Sequence, residues 1–374
     1  MHIIMGKIKN YRVLKHSKKK IKKSKVNEVF GDAALGELQD AARELRELYG
    51  DETKIFSGKH HARYIPADVP QHVISRVFQG RHILRPTRKL TRLIAGVLVK
   101  AALVHPDVLI FAYAFMSNHI HLLLQGSSKS VASFVGYLKR EITLRWGHSK
   151  EVGWYGPMWS EYISTALPTE NSQIQCLKYI LSQGVKEGLV AAPQLWPGVH
   201  ASKQLLAGTP LRGDWFNSTK WTIARDAERR KKRPKAVKKN DYYESYELTL
   251  TPIAPWKDLS PDKYCEKISK LVDEIVEEGK VARRGRKPLG VKAILQIPLN
   301  YKSELPVQPW FENRRRMICW SDPKADETKS YLKRYWRFQR EFRAASDAFL
   351  AGDLTVEFPP GAFRPVTYCA DTVT

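Results

Sequence analysis

Between residues 109 and 124 the chain is apolar at almost every position. Leu109 to Phe115 and His119 to Leu124 read as two buried strands with a break at Ser117-Asn118. Side chains alternate between the faces of a strand, so His119 and His121 share one face. Ile120, Leu122 and Leu124 share the other, which is expected to face the core. Around this pair the periodicity predicts a strand at Gln71 to Phe78 and an amphipathic helix at Lys89 to Leu103. A helix follows from Ser130 to Trp146 with Val131, Phe134, Val135, Leu138 and Ile142 inward, then a strand from Trp159 to Leu167. From Ile174 to Gly188 the spacing is helical again. On a wheel of about 100° per residue, Ile174, Leu177, Ile180, Leu181, Gly184 and Val185 form the apolar stripe. Tyr179 and Gln183 fall together off that stripe, one turn apart. The order β-α-β-β-α-β-α fits a ferredoxin-like α+β sandwich with one extra helix.

The pattern changes outside this stretch. Leu35, Leu38, Ala42, Leu45 and Leu48 make a narrow helical face ending near Gly50. After about Leu205 a polar, basic segment contains Arg229-Arg230-Lys231-Lys232-Arg233. Tyr246 to Leu250 reads as a short strand. Ser260-Pro261 caps a helix to Gly279, with Ile268, Leu271, Val272, Ile275 and Val276 inward. A basic loop holds Arg284, Arg286 and Lys287. A last helix, Asp326 to Leu350, packs Tyr331, Leu332, Tyr335, Phe338, Phe342 and Phe349. The expected division is a basic disordered arm over 1–26, a helical extension over 27–61 and a catalytic domain over 62–205. A basic linker over 206–240 and a mainly helical, basic accessory region over 241–374 complete it.

Charge adds a partner to this picture. The 374 residues carry 63 Lys and Arg against 38 Asp and Glu, a net +25. A surplus of that size implies a polyanion, most simply nucleic acid. Lys18, Lys19, Lys20, Lys22 and Lys23 lie in an arm without an acidic residue, suited to DNA phosphates. Arg229, Arg230, Lys231, Lys232, Arg233, Arg284, Arg286 and Lys287 are further candidates, with Arg140 on the polar face of its helix. In the last helix, basic groups interleave with aromatics, a combination that suits backbone charge and base stacking. No run of about eighteen apolar residues predicts a membrane span. Cys176, Cys265, Cys319 and Cys369 are scattered, which points away from a zinc site or a disulfide framework and toward a reducing cytoplasm.

The candidate chemistry sits on the first-described stretch. Two imidazoles two residues apart on one strand can share a metal ion. A phenol can be a nucleophile. A Gln carbonyl is a neutral oxygen donor for a hard cation such as Mg²⁺ or Mn²⁺. Taken singly, half-buried histidines at a sheet edge and a solvent-facing Tyr and Gln would account for each residue. His60, His61 and His72 are read as surface or DNA-contact residues, and Tyr155 and Tyr162 as packing or stacking groups.

Taken in order, the segments are more specific. Met116-Ser117-Asn118-His119-Ile120-His121, then Gly156-Pro157-Met158-Trp159-Ser160-Glu161-Tyr162, then Lys178-Tyr179-Ile180 with Val185-Lys186-Glu187-Gly188-Leu189-Val190 resemble the HUH-endonuclease superfamily. Within it they resemble the IS200-like single-tyrosine transposases, in particular the subgroup associated with repetitive extragenic palindromes. The resemblance spans about Ala62 to Ala201 and implies the ferredoxin-like fold. It implies a divalent metal on His119 and His121, completed by Gln183, and nucleophilic attack by Tyr179. The implied substrate is single-stranded DNA folded as a hairpin, and the protein would be a cytoplasmic, nucleoid-associated monomer or homodimer. Ser117 stands where a Pro is usual, and Gln183-Gly184 where Asn-Pro is frequent; neither change removes a chemical group. The alternatives are a non-catalytic hairpin-binding relative, a rolling-circle-type nicking enzyme and a metal-dependent phosphodiesterase that uses water. Deleting residues 1–26 is predicted to flatten the slope of log DNA affinity against log salt. An unchanged slope would show that the arm does not touch DNA.

Overall fold

The computed structural model describes residues 54–56, 61–154, 156–233, 235–299, 301 and 317–364. The expected arm with Lys18, Lys19, Lys20, Lys22 and Lys23, the expected helix before Gly50, and Tyr155 lie outside the described residues. The chain is α+β. Its main sheet has strands β1 (Lys54–Phe56), β2 (Gln71–Arg76), β3 (Leu109–Phe115), β4 (His119–Gln125), β5 (Ile163–Ala166) and β8 (Met317–Trp320). They lie in the order β1-β8-β5-β2-β4-β3, and every neighbouring pair is antiparallel except β5 with β8.

The alternation read from the sequence explains how this sheet is dressed. On β4 the two sets of side chains are both buried, because both faces are covered. On β3, Ala114 pairs with His121 and Ala112 with Leu123, so small residues share the histidine face. Tyr113 and Phe115, paired with Leu122 and Ile120, fill the opposite face. That small-residue face is where α3 (Glu170–Leu181) rests against β3 and β4. Helix α1 (Arg88–Val104) packs on α2 (Ser128–Ile142). Each of the three helices opens on a Ser or Thr whose hydroxyl accepts from the first turn: Thr87, Ser127 and Thr169.

Several elements differ from the pattern-based expectation. The first strand ends at Arg76, and Trp159 contributes only an isolated bridge to Val77. Residues 206–240, expected as a linker, contain strand β6 (Leu211–Phe216) and helix α5 (Ser218–Arg229). The periodicity there is obscured by the basic residues on α5, which has no buried side chain. Strand β6 pairs with β7 (Tyr243–Leu248) as a separate hairpin. Short helix α4 (Ser202–Ala207) precedes it.

The C-terminal elements bear directly on the helix α3. Ser260 caps α6 (Pro261–Arg283), which packs on α3. Between α6 and β8 lies short helix α7 (Val291–Gln296). Strand β8 enters the main sheet beside β5, and α8 (Asp326–Leu350) follows with the bounds expected from its aromatic spacing. Leu332 and the buried rings of Tyr331 and Tyr335 join a cluster with Ala166 and Cys319.

The β6–β7 hairpin docks on α1 through backbone contact. A methyl group at Gly96 would overlap the Asp214 carbonyl, and one at Gly213 would lie 2.5 Å from the Ala95 oxygen. Gly→Ala inside a helix ordinarily stabilises by about 1 kcal/mol. Here Gly96→Ala is predicted to destabilise by about 1–3 kcal/mol, because the hairpin must move away. Denaturant unfolding checks it, and a stabilised variant would contradict the docking.

Candidate active site

His119 and His121 stand on β4 with the face and spacing the alternation requires, their ring centroids 4.8 Å apart and nearly perpendicular. His121 is buried and His119 half-buried. Each ring has its Nδ1 engaged. His119 Nδ1 lies 2.6 Å from Asn118 Oδ1, and the Asn118 amide nitrogen donates to the Gly80 carbonyl. His121 Nδ1 lies 2.9 Å from His72 Nε2. Both Nε2 atoms are left to serve the site. Burial, with the positive charge of Arg76 and Lys186 nearby, lowers the pKa of His119 to about 3. Burial and the neighbouring His119 and His72 hold His121 well below the ordinary imidazole value. Two neutral imidazoles are the state in which histidine binds a metal.

Helix α3 brings Tyr179 onto this face. Its ring meets His121 edge-on at 5.6 Å and His72 at 5.7 Å. The expected helix to Gly188 stops earlier: α3 ends at Leu181, and Gly184 takes a left-handed backbone with φ 86°. Gln183 therefore lies past the helix in the turn that follows. It still joins Tyr179, because its amide nitrogen donates to the Tyr179 carbonyl at 3.0 Å. With the nitrogen so anchored, the carbonyl is the end of the side chain left for the site, and Gln183 favours the protonated form of His119. Gln183 is buried, contrary to what a residue off the apolar stripe of a surface helix would show.

The orientation of α3 is held from several directions. Lys178 Nζ bridges Glu274 and Glu278 of α6, each at 2.7 Å. Gly279 of α6 comes so close to the turn after α3 that an added methyl would lie 2.5 Å from Val185. At the helix N-terminus, Thr169 Oγ1 lies 2.9 Å from Ser321 Oγ, which accepts from Thr328 of α8. Trp320 of β8 stands edge-on to Tyr179 at 5.7 Å.

His119, His121, Tyr179 and Gln183, named from the sequence, are thus together. His72, expected at the surface, is a correction: it is 2% exposed and belongs to the site. Its place is set by strand pairing that the local pattern does not show: His72, Ile74 and Arg76 share a face of β2 and pair with Leu123, His121 and His119. Arg76 opposite His119 was missed for the same reason. Lys186, whose Nζ lies 3.5 Å from the Tyr179 ring centre, and Trp320 carried no local signal. His61 is half-buried, 2.9 Å from the Tyr335 hydroxyl, and Tyr162 lies under the Arg63 guanidinium at 3.9 Å.

The basic candidates divide by position. Arg284, Arg286 and Lys287 are exposed on a loop whose end is hydrogen-bonded to the turn after Tyr179, through Leu289 to Gly188 and Gly290 to Leu189. Arg229, Arg230, Lys231, Lys232 and Arg233 are exposed at the end of α5. Arg140 is exposed and ion-paired with Glu141 at 2.8 Å. Among the described residues no group of three or more His, Cys, Asp and Glu side chains could hold a metal. With the Gln183 carbonyl the histidine pair would offer three neutral donors, two nitrogens and one oxygen, leaving other positions of a cation open. No described helix is long and apolar enough to cross a membrane.

No protein-family model matches the chain, and no curated protein matches it. Among solved structures, it is similar to a REP-associated tyrosine transposase bound to a REP hairpin. Identity is 16%, covering 40% of this chain and 86% of that one, with a TM-score of 0.34. It is also similar to a protein from Deinococcus radiodurans R1 described provisionally as a transposase. There identity is 20%, covering 33% of this chain and 97% of that one, with a TM-score of 0.24.

The buried imidazoles carry a pH prediction. The folded chain holds His119 neutral down to about pH 3, whereas the unfolded chain takes up a proton below about 6.5. Stability is therefore predicted to fall as pH drops below about 6.5. His119→Gln should flatten that dependence by up to about one proton, or about 1.4 kcal/mol per pH unit. Equal slopes in thermal melts of the two proteins from pH 7 to 5 would contradict the placement.

Proposed function

We propose that the protein is an IS200-like single-tyrosine transposase that cleaves and rejoins DNA through a covalent bond to Tyr179. One observation carries this reading: the Tyr179 ring from α3 stands edge-on to His121 of the β4 histidine pair, with Gln183 bonded to the Tyr179 backbone carbonyl. The phenol oxygen attacks phosphorus, forming a P–O bond to tyrosine while the bond to the 3′ oxygen breaks. The products are a 5′-phosphotyrosine link and a free 3′-hydroxyl. A 3′-hydroxyl later attacks the link and releases the phenol, so rejoining needs no outside energy source.

His119 Nε2, His121 Nε2 and the Gln183 carbonyl are the atoms that would hold Mg²⁺ or Mn²⁺. Such an ion supplies Lewis-acid polarisation of the scissile phosphate. All three donors are neutral, so they leave its positive charge for the phosphodiester. Arg76 and Lys186 add charge beside Tyr179 and are suited to hold the same anion. The strand order β5-β2-β4-β3, with α1 and α2 as its crossovers, supports the ferredoxin-like form of the reading. The substrate is single-stranded DNA folded as a hairpin, and the exposed Arg284, Arg286 and Lys287 extend the basic surface from the turn after Gln183.

With Mg²⁺ and hairpin DNA, the wild-type protein is predicted to form a covalent adduct that survives denaturing electrophoresis. Tyr179→Phe should fold and bind DNA yet form none. His119→Ala and His121→Ala should bind DNA and cleave it slower by about a hundredfold or more. EDTA should stop the wild-type reaction. Full cleavage in EDTA would rule out the metal, and an adduct in Tyr179→Phe would rule out the nucleophile.

A further inference from the structure

His72 is a buried group for which the proposed reaction has no task. It lies on β2, and the antiparallel register makes it the diagonal neighbour of His121 on the same face. Its ring lies at 20° to that of His121, with centroids 5.1 Å apart, and its Nε2 is 2.9 Å from His121 Nδ1. Burying an imidazole costs more than burying an apolar side chain, so packing alone does not account for it.

One proton lies between the two nitrogens. On His121 Nδ1, it leaves the neutral His121 ring with a lone pair on Nε2. On His72 Nε2, it leaves the neutral His121 ring with its other proton on Nε2, which closes that atom as a ligand. His119 provides the comparison. Its Nδ1 meets an Asn118 oxygen, which only accepts, so this contact favours the His119 tautomer with its proton on Nδ1. The pair presents two like donor atoms only if His72 plays for His121 the part that Asn118 plays for His119.

We infer that His72 is a positioning residue whose Nε2 accepts the Nδ1 proton of His121 and so keeps His121 Nε2 open to a divalent cation. This rests on the metal site proposed above. A partner of this kind orients a ligand and fixes its tautomer, and its loss costs about 10–100-fold in metal affinity.

The test uses the full chain. Long-range ¹⁵N–¹H correlation on metal-free, ¹⁵N-histidine-labelled protein, assigned with His121→Gln, is expected to show His121 with its proton on Nδ1. A proton on Nε2 would overturn the inference. Mn²⁺ affinity, read by electron paramagnetic resonance, is expected to weaken about tenfold or more in His72→Phe. In His72→Gln, whose Oε1 reaches the position of Nε2, it should stay within about threefold. Equal affinity in a folded His72→Phe would overturn the inference. If His72→Phe does not fold, a tenfold loss in a folded His72→Gln would overturn it, and retained affinity with the Nδ1 tautomer would support it. Wild type that binds no Mn²⁺ would instead sink the metal site. The tautomer measurement would then still decide the role of His72.

Discussion

A phenol on a helix can meet the imidazoles of a sheet only if the helix is fixed in rotation and distance against that sheet. One residue of rotation moves a side chain by about 100° around the helix, which would carry Tyr179 out of the site. Much of the surrounding structure serves that constraint. Ala112 and Ala114 give α3 a shallow bed on β3. Lys178, adjacent to the tyrosine, is tied to two carboxylates of α6. The N-terminal cap of α3 is joined through Ser321 to the first turn of α8. Elements far along the chain thus hold the short one that bears Tyr179.

The same constraint accounts for the polarity buried around it. Imidazoles, an amide and a guanidinium are costly to bury unless each finds a partner. Here Asn118 serves His119, His72 serves His121, and the Tyr179 carbonyl serves Gln183. Each of these bonds occupies the side of the group that faces the fold and leaves the other side for the site. The lowered pKa values of the two histidines follow from the same burial, so the state needed for ligation comes without a separate device.

The legible parts of the sequence were those governed by local pattern. Strands β3 and β4, the cap of α6, and the aromatic face of α8 all follow from spacing within one element. That His119, His121, Tyr179 and Gln183 belong together was legible from their types and order. What stayed hidden depends on pairing between distant segments. Strand β8 is four residues without a motif, and its place beside β5 is a tertiary fact. His72 looked like a surface residue because its partner is 49 positions away. The end of α3 at Leu181 turns on Gly184, which the helical wheel counted as part of the apolar stripe.

The central claim is that one phenol, placed by α3 against the histidine pair, forms the bond to DNA. Peptide mapping by mass spectrometry of the digested wild-type DNA adduct tests it most directly. The account predicts the nucleotide remnant on the peptide containing Tyr179. A remnant on Tyr155 or Tyr162, or cleaved DNA with no nucleotide bound to protein, would contradict it.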